Sequence, residues 1–211
     1  MDPLTDYFAL LNEPRVPWLD TERLKTSFLA RSTEVHPDRV HAAPEVVKEE
    51  TNRRFAELNA AYHCLREPKE RLLHLLELEL GSRPRDVQRI PPGTMDLFVE
   101  VGQVCRDVDR FLADRAHATS PMIKVQLFEK AIEWTDRLTT LQHRINAKRD
   151  QLAAELREMN RQFEAAPGHG TPERKGVLPL ERLEQIYRAW SYVARWTEQL
   201  QERMVQLSSY S

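Results

Sequence analysis

Apolar side chains recur three and four positions apart along most of this chain, and that spacing constrains the fold more than any other feature. In the longest example the repeated positions are Ile123, Leu127, Trp134, Leu138, Leu141, Ile145, Leu152, Leu156, Met159 and Phe163. Residues at this spacing share one face of an α-helix, which can pack against other helices. The 211 residues include only 6 glycines, and 8% are aromatic, so little of the chain favours β-strands. We therefore predict an all-α protein.

Prolines and capping residues divide the N-terminal pattern into helices. Asp20 is a suitable N-cap, and the helix that follows it should end at His36, because the residue before Pro37 is pushed out of the α region. A second long helix should begin at Pro44. Two helices joined by a loop of this length should pack antiparallel, with the loop exposed at their tip and the short segment "DYFALL" packed across them.

The stretch from Gly81 to Gly93 is the clearest domain boundary in the sequence. It contains three prolines and lacks apolar periodicity, which is typical of a linker. We predict an N-terminal domain over 1–80, a linker over 81–93 and a C-terminal domain over 94–211.

The C-terminal domain is predicted to be an antiparallel three-helix bundle. Its helices should begin near Thr94, Ser120 and Leu180, and each carries a broad apolar face. The segment 166–179 is rich in Gly and Pro, and we expect a flexible connection there.

Composition excludes several classes of partner. The formal net charge is −2, so no overall field attracts nucleic acid or anionic lipid. No apolar run is long enough to cross a bilayer, and the N-terminus does not resemble a secretory signal, so we expect a cytoplasmic protein. Cys64 and Cys105 are isolated from each other, which predicts neither a zinc site nor a redox pair. We expect no bound metal or cofactor.

The tripeptide His36-Pro37-Asp38 allows several interpretations. Together with His41 it could supply metal ligands, but three ligands on one loop are few for a rigid site. Neither a nucleophile with a base partner nor a Gly-rich phosphate loop is present. The residues could simply terminate a helix, as proline does in any protein. Alternatively, they could form an exposed tip that contacts another protein.

Three stretches agree in order and spacing with a known family. They are "DYFALL", "LKTSFLARSTEVHPDR" and "FAELNAAYHCLREPKER". The N-terminal third of the chain resembles the J domain of DnaJ-type co-chaperones, whose signature is His-Pro-Asp in the loop between two helices. A J domain followed by a proline-bearing linker and a helical bundle is similar to the HscB branch, which serves iron–sulfur cluster assembly.

The resemblance implies a function and a set of contact residues. In J-domain proteins the His-Pro-Asp tip docks on a DnaK-class chaperone (HscA in the HscB branch) and triggers its ATP hydrolysis, so the protein itself is not expected to be an enzyme. The residues expected to bind the chaperone are His36, Pro37, Asp38, Arg39, Lys25 and Arg31. Because Glu22 and Glu34 offset the basic residues of the same helix, we expect low affinity.

The HscB resemblance also implies a face that binds an iron–sulfur scaffold protein of the IscU-like class. The stretch "PPGTMDLFVEVGQV" is similar in position to that face and carries Met95, Val99 and Glu100, with Phe98 and Val101 expected in the core.

Tyr192 and Trp196 lie off the main apolar stripe of the last helix, so they either join this partner surface or are buried by a broad bundle face. The Tyr192 position is similar to that of an aromatic residue that HscB proteins use for their scaffold. The bundle could instead bind another client, or the chain could be a coiled-coil adaptor. We expect a monomer or a weak dimer.

Overall fold

The computed structural model describes residues 4–40, 42–84, 90–118 and 120–209, and within these ranges all regular secondary structure is helical. The α-helices are α1 (Tyr7–Leu11), α2 (Thr21–Glu34), α3 (Glu45–Arg66), α4 (Pro68–Leu80), α5 (Met95–Ala116), α6 (Pro121–Ala165), α7 (Pro172–Val177) and α8 (Leu180–Ser208), with a 3-10 turn at Pro37–Val40. The predicted all-α class is confirmed. The long middle pattern forms one uninterrupted helix, α6.

The chain forms two compact units. The first comprises Met1–Val87 and Ala153–Tyr187, and the second comprises Gln88–Leu152 and Arg188–Ser211. This division differs from the predicted boundaries, because the end of α6, α7 and the start of α8 belong with the N-terminal helices. Residues 85–89 of the predicted linker lie outside the described residues.

In the first unit, α2 and α3 form the predicted hairpin. Leu24 of α2 and Leu58 of α3 are buried, and the Phe28 and Tyr62 rings stack with centres 4.4 Å apart. The short helix α1 packs on α3. Its N-cap is Asp6, whose carboxylate accepts hydrogen bonds from the Phe8 and Ala9 amides.

Side chains of α6 contact the loop before α2. The side-chain amide of Asn160 both donates to the Trp18 carbonyl at 2.8 Å and accepts from the Trp18 amide at 3.0 Å. The Arg157 guanidinium lies 4.4 Å from the centre of the Trp18 ring, close enough for a cation–π interaction. These contacts explain why residues after 153 join the first unit.

The segment 166–179, predicted as a flexible connection, is anchored by a buried ion pair. It contains α7, and the Nε of Arg174 donates to both carboxylate oxygens of Glu79, at 3.1 and 2.9 Å. Both side chains are only 3% exposed. The Arg174 Nη1 also donates to the Pro167 carbonyl at 2.9 Å. The prediction missed this anchor because the partner lies 95 residues away.

The second unit packs α5, the first part of α6 and most of α8. Its core contains Leu97, Val101, Val104, Cys105, Val108, Phe111, Ala131, Leu138, Leu141, Ile145, Leu152, Trp190, Val193, Trp196, Leu200 and Leu207. Polar side-chain contacts join each pair of helices. These contacts include Glu100 with Arg144, Asp109 with Arg203 at 2.7 Å, and Gln142 with Thr197 at 3.3 Å.

We predict that Arg174→Met destabilises the protein by about 3–5 kcal/mol, because it leaves the buried Glu79 carboxylate without its guanidinium partner. Urea unfolding of the full chain, followed by circular dichroism, measures the change. Lys175→Met is the matched control: Lys175 is exposed and donates to the Leu80 carbonyl, so its loss should cost within about 1 kcal/mol. Equal losses for the two variants would contradict a special role of the buried pair.

We also predict that the unfolding free energy falls as the pH drops below about 6.5, the ordinary histidine pKa. The His74 Nε2 accepts a hydrogen bond from the Tyr7 amide at 3.2 Å, and burial lowers the pKa of His74. The unfolded chain therefore takes up the proton at a higher pH than the folded chain does. The stabilising contribution of neutral His74 is complete above about pH 6.5. It is lost as the pH falls below that value and through the lowered pKa of His74 in the folded chain.

Unfolding midpoints of wild type and His74→Gln between pH 7 and pH 5 test this expectation. Burial also lowers the pKa of His169, so both proteins should carry His169→Gln. We expect the unfolding midpoint of the His74 variant to depend less steeply on pH. Identical slopes for the two proteins would show that His74 does not cause the pH dependence.

Candidate functional site

The His36-Pro37-Asp38 tripeptide forms an exposed tip between α2 and α3. Helix α2 ends at Glu34, and Pro37 opens the 3-10 turn. The Asp38 amide donates to the His36 Nδ1 at 3.3 Å, and the Asp38 Oδ2 lies 3.5 Å from the same nitrogen. The Asp38 side chain is 90% exposed, and the His36 side chain is 46% exposed. The tip therefore presents a carboxylate and an imidazole to the outside.

Two contacts hold the tip against the helices. The Arg39 Nη1 donates to the Thr33 carbonyl at 3.1 Å, which satisfies one of the open carbonyls at the end of α2. The His36 ring packs edge-on against Phe55 of α3, with centres 5.4 Å apart. Arg39, predicted as a partner contact, thus also has a positioning role. Phe55 is half-buried and supports the tip.

The structure does not bring Lys25 and Arg31 together. At about 100° per residue they lie about 120° apart around α2. Lys25 is exposed, whereas Arg31 is half-buried. Three exposed apolar residues on the two helices that carry the tip were not predicted: Leu29 of α2 (51% exposed), and Val46 and Val47 of α3 (76% and 43%). The apolar pair Val46-Val47 between two charged residues was the available signal in α3, whereas Leu29 has apolar neighbours in the sequence and gives no such signal.

The metal interpretation finds no support among the described residues. Within them, no group of three or more His, Cys, Asp or Glu side chains is arranged to hold an ion. His41, one of the three ligands considered, lies outside the described residues. In the part of the chain that the structure describes, no helix has both the length and the apolarity needed to span a bilayer.

A second candidate surface, here called the α5 apolar face, consists of Met95, Phe98, Val99 and Tyr192. Met95 and Val99 are 53% and 58% exposed. Phe98 is 39% exposed, and its ring meets the half-buried Tyr192 ring edge-on at 6.0 Å. Glu100 borders this face and forms an ion pair with Arg144.

Two predicted assignments on this surface are wrong. Trp196 was considered for the surface, but it is 3% exposed and belongs to the core, because α8 buries a broad face. Phe98 was expected in the core, but Leu97 is buried in its place and Phe98 is turned outward. The expectation that Val101 is buried holds, since it is 1% exposed. A periodicity of three and four does not distinguish Leu97 from its neighbour.

Comparison with known proteins relates the chain to one family. A co-chaperone protein HscB homolog from Azoarcus sp. (strain BH72) is 35% identical over 78 residues, which is 37% of this chain and 44% of that protein. The iron-sulfur cluster co-chaperone protein HscB of Mus musculus is 28% identical over 145 residues, or 66% of this chain and 57% of that protein. The aligned region thus spans about half the length of these relatives. A scan against protein-family profiles found no match.

Solved structures show the same fold over nearly the whole chain. Chaperone HscB from Vibrio cholerae superposes with a TM-score of 0.58 at 19% identity, covering 96% of this chain and 99% of that one. The human co-chaperone protein HscB gives the same TM-score and identity, covering 97% and 85%. The resemblance to HscB-like J-domain proteins drawn from the sequence is therefore confirmed.

Proposed function

We propose that this HscB-like J-domain protein is a co-chaperone of iron–sulfur cluster assembly that works with an Hsp70 chaperone of the DnaK/HscA class. Its tip would stimulate the ATPase of that chaperone, and its α5 apolar face would deliver an IscU-like scaffold protein. The observation that carries the proposal is the exposed His36-Pro37-Asp38 tip between two packed helices. It is supported by the 35% identity of the chain to an HscB homolog over 78 residues.

The tip has the chemistry for a specific protein contact. The Asp38 carboxylate, 90% exposed, can accept two parallel hydrogen bonds from an arginine of the chaperone. Pro37 fixes the backbone where α2 ends. The Arg39 contact to Thr33 and the His36 contact to Phe55 already order the loop, so binding would lose less conformational entropy.

The helices beside the tip supply apolar area and charge. Leu29, Val46 and Val47 expose apolar side chains that a chaperone could bury. Lys25 and Arg31 would mainly raise the association rate, and their effect should weaken with salt. Since they lie about 120° apart around α2, we propose that they contact different parts of the chaperone surface.

The α5 apolar face suits a scaffold protein better than it suits a small molecule. It is an exposed helix surface, and its central side chains, Phe98 and Val99, are large and apolar. Glu100 is held beside them by Arg144, which gives the face a polar rim. Such a patch on a monomer usually marks a protein contact.

Under this proposal the chain performs no reaction of its own. The chemical step is ATP hydrolysis in the chaperone, and the tip acts by binding there. We place the protein in the cytoplasm together with these two partners.

We expect His36→Gln to reduce the stimulation of the chaperone ATPase to near the basal rate, because the oriented imidazole of the tip is lost. Single-turnover ATP hydrolysis by a DnaK-class chaperone, with and without each protein, measures this. His63→Gln, which changes an exposed histidine elsewhere on α3, is the matched control and should stimulate like wild type. Equal rates with wild type and His36→Gln would rule out the tip as the stimulating group.

We expect Val99→Asp to weaken scaffold binding by at least about tenfold, because it places a charge at the centre of an apolar contact. Titration calorimetry with the scaffold protein measures the affinity. ATPase stimulation without scaffold should be unchanged.

Val205→Asp is the matched control for the α5 apolar face, since Val205 is 57% exposed against 58% for Val99 but lies on α8. Unchanged affinity of Val99→Asp would show that the scaffold binds elsewhere. No binding by the wild type would mean that the bundle serves a different client.

A further inference from the structure

The second unit contains a groove that none of the proposed contacts uses. It is formed by the end of α5, the beginning of α6 and the end of α8, and its volume is about 750 Å³. Its apolar lining consists of Leu112, Ala116, Ala118, Leu127, Phe128, Ala131, Ile132 and Leu207. Ala131 and Leu207 belong to the buried core, and the others lie nearer the surface. The groove shares no residue with the α5 apolar face.

The apolar surface extends from the groove along α6. Val125, Phe128 and Ile132 are 62%, 54% and 49% exposed. At about 100° per residue these three positions fall within about 60° of each other, so they form one stripe. Met122, 76% exposed, begins the same surface one turn earlier. An exposed apolar stripe continuous with a groove is uncommon on a protein that has no partner there.

The charged groups of the groove are all positive. Arg115 and Lys124 line it, and the described lining includes no Asp or Glu. Arg115 donates to the Leu207 and Gln206 carbonyls at 3.0 and 2.8 Å, which fixes its guanidinium at the end of α8. Lys124 is exposed and forms no ion pair with any residue that the structure describes. The groove therefore favours a ligand that combines apolar side chains with carboxylates.

We propose that this groove binds an acidic amphipathic helix of a partner protein. Aliphatic side chains at helical spacing would lie against Phe128 and Ile132, and flanking Asp or Glu side chains would lie towards Lys124 and Arg115. A cavity of about 750 Å³ holds a few large side chains from one helix face rather than a whole helix.

Charge argues against the other occupants of such a surface. In a symmetric dimer the same patch occurs on both copies, so two of these grooves would bring Lys124 and Arg115 of each copy near like charges. A lipid surface attracts clusters of basic residues, whereas this chain has a net charge of −2 and only two cations among the described residues that line the groove. An acidic helix complements both the shape of the groove and the sign of its charge.

A displayed library of helical peptides tests the proposal. Peptides of about four turns, roughly 15 residues, would be selected on the full-length wild-type protein and counter-selected on the Lys124→Glu/Phe128→Ser/Ile132→Ser variant. We expect the enriched peptides to carry aliphatic residues at three-four spacing and flanking Asp or Glu. The best peptide, made synthetically, should bind with a Kd on the order of micromolar and lose at least about tenfold in affinity for the triple variant.

Control variants distinguish specific binding in the groove from nonspecific binding to exposed apolar side chains. Val177→Ser, at a position 59% exposed on α7, should bind the peptide like wild type, and circular dichroism should show all variants equally helical. Lys124→Glu alone should favour a peptide in which Lys replaces each acidic residue.

No enrichment over the triple variant, or enrichment of basic peptides, would overturn the proposal. A concentration-dependent dimer that Phe128→Ser abolishes would assign the groove to a second copy instead. Binding to phosphatidylglycerol vesicles that Phe128→Ser abolishes would assign it to a membrane surface. Because none of these assays involves the chaperone or the scaffold, their outcome is independent of the function proposed above.

Discussion

The packing of α2 against α3 holds the exposed tip, since every residue of the tip is positioned from these two helices. Leu24 and Leu58 bury their side chains in the hairpin, and Phe28 stacks on Tyr62. Pro37 cannot continue α2, so the chain turns there. The tip is thus held by contacts to both helices and exposed at its end, which is the arrangement a contact loop requires.

A buried ion pair extends the first unit beyond the hairpin. Glu79 ends up 3% exposed with Arg174 as its partner, and Arg174 comes from a segment whose composition is typical of a linker. Two buried charges are costly to desolvate, but removing either one leaves the other unpaired, so the pair fixes which segment packs against α4. The contacts of Trp18 with Asn160 and Arg157 likewise hold the end of α6 in the first unit.

The second unit exposes two apolar surfaces of different chemistry. The α5 apolar face is bordered by Glu100 in its ion pair with Arg144, whereas the groove at the other surface is lined by Arg115 and Lys124. The first border is a neutralised ion pair and the second carries two cations, so charge complementarity would favour different partners at the two surfaces. Under both proposals a bundle of three helices would serve two contacts without enlarging its core.

The sequence by itself determined the long helices and the position of His36-Pro37-Asp38 at a helix end, because helical periodicity and proline geometry are local properties. It also indicated Met95 and Val99 as exposed. Only the tertiary structure decided that Trp196 is buried, that Phe98 is turned outward, and that Arg174 joins Glu79. The first two outcomes depend on which helix faces are covered by other helices, and the third depends on a partner 95 residues away in the chain. A local sequence pattern contains neither kind of information.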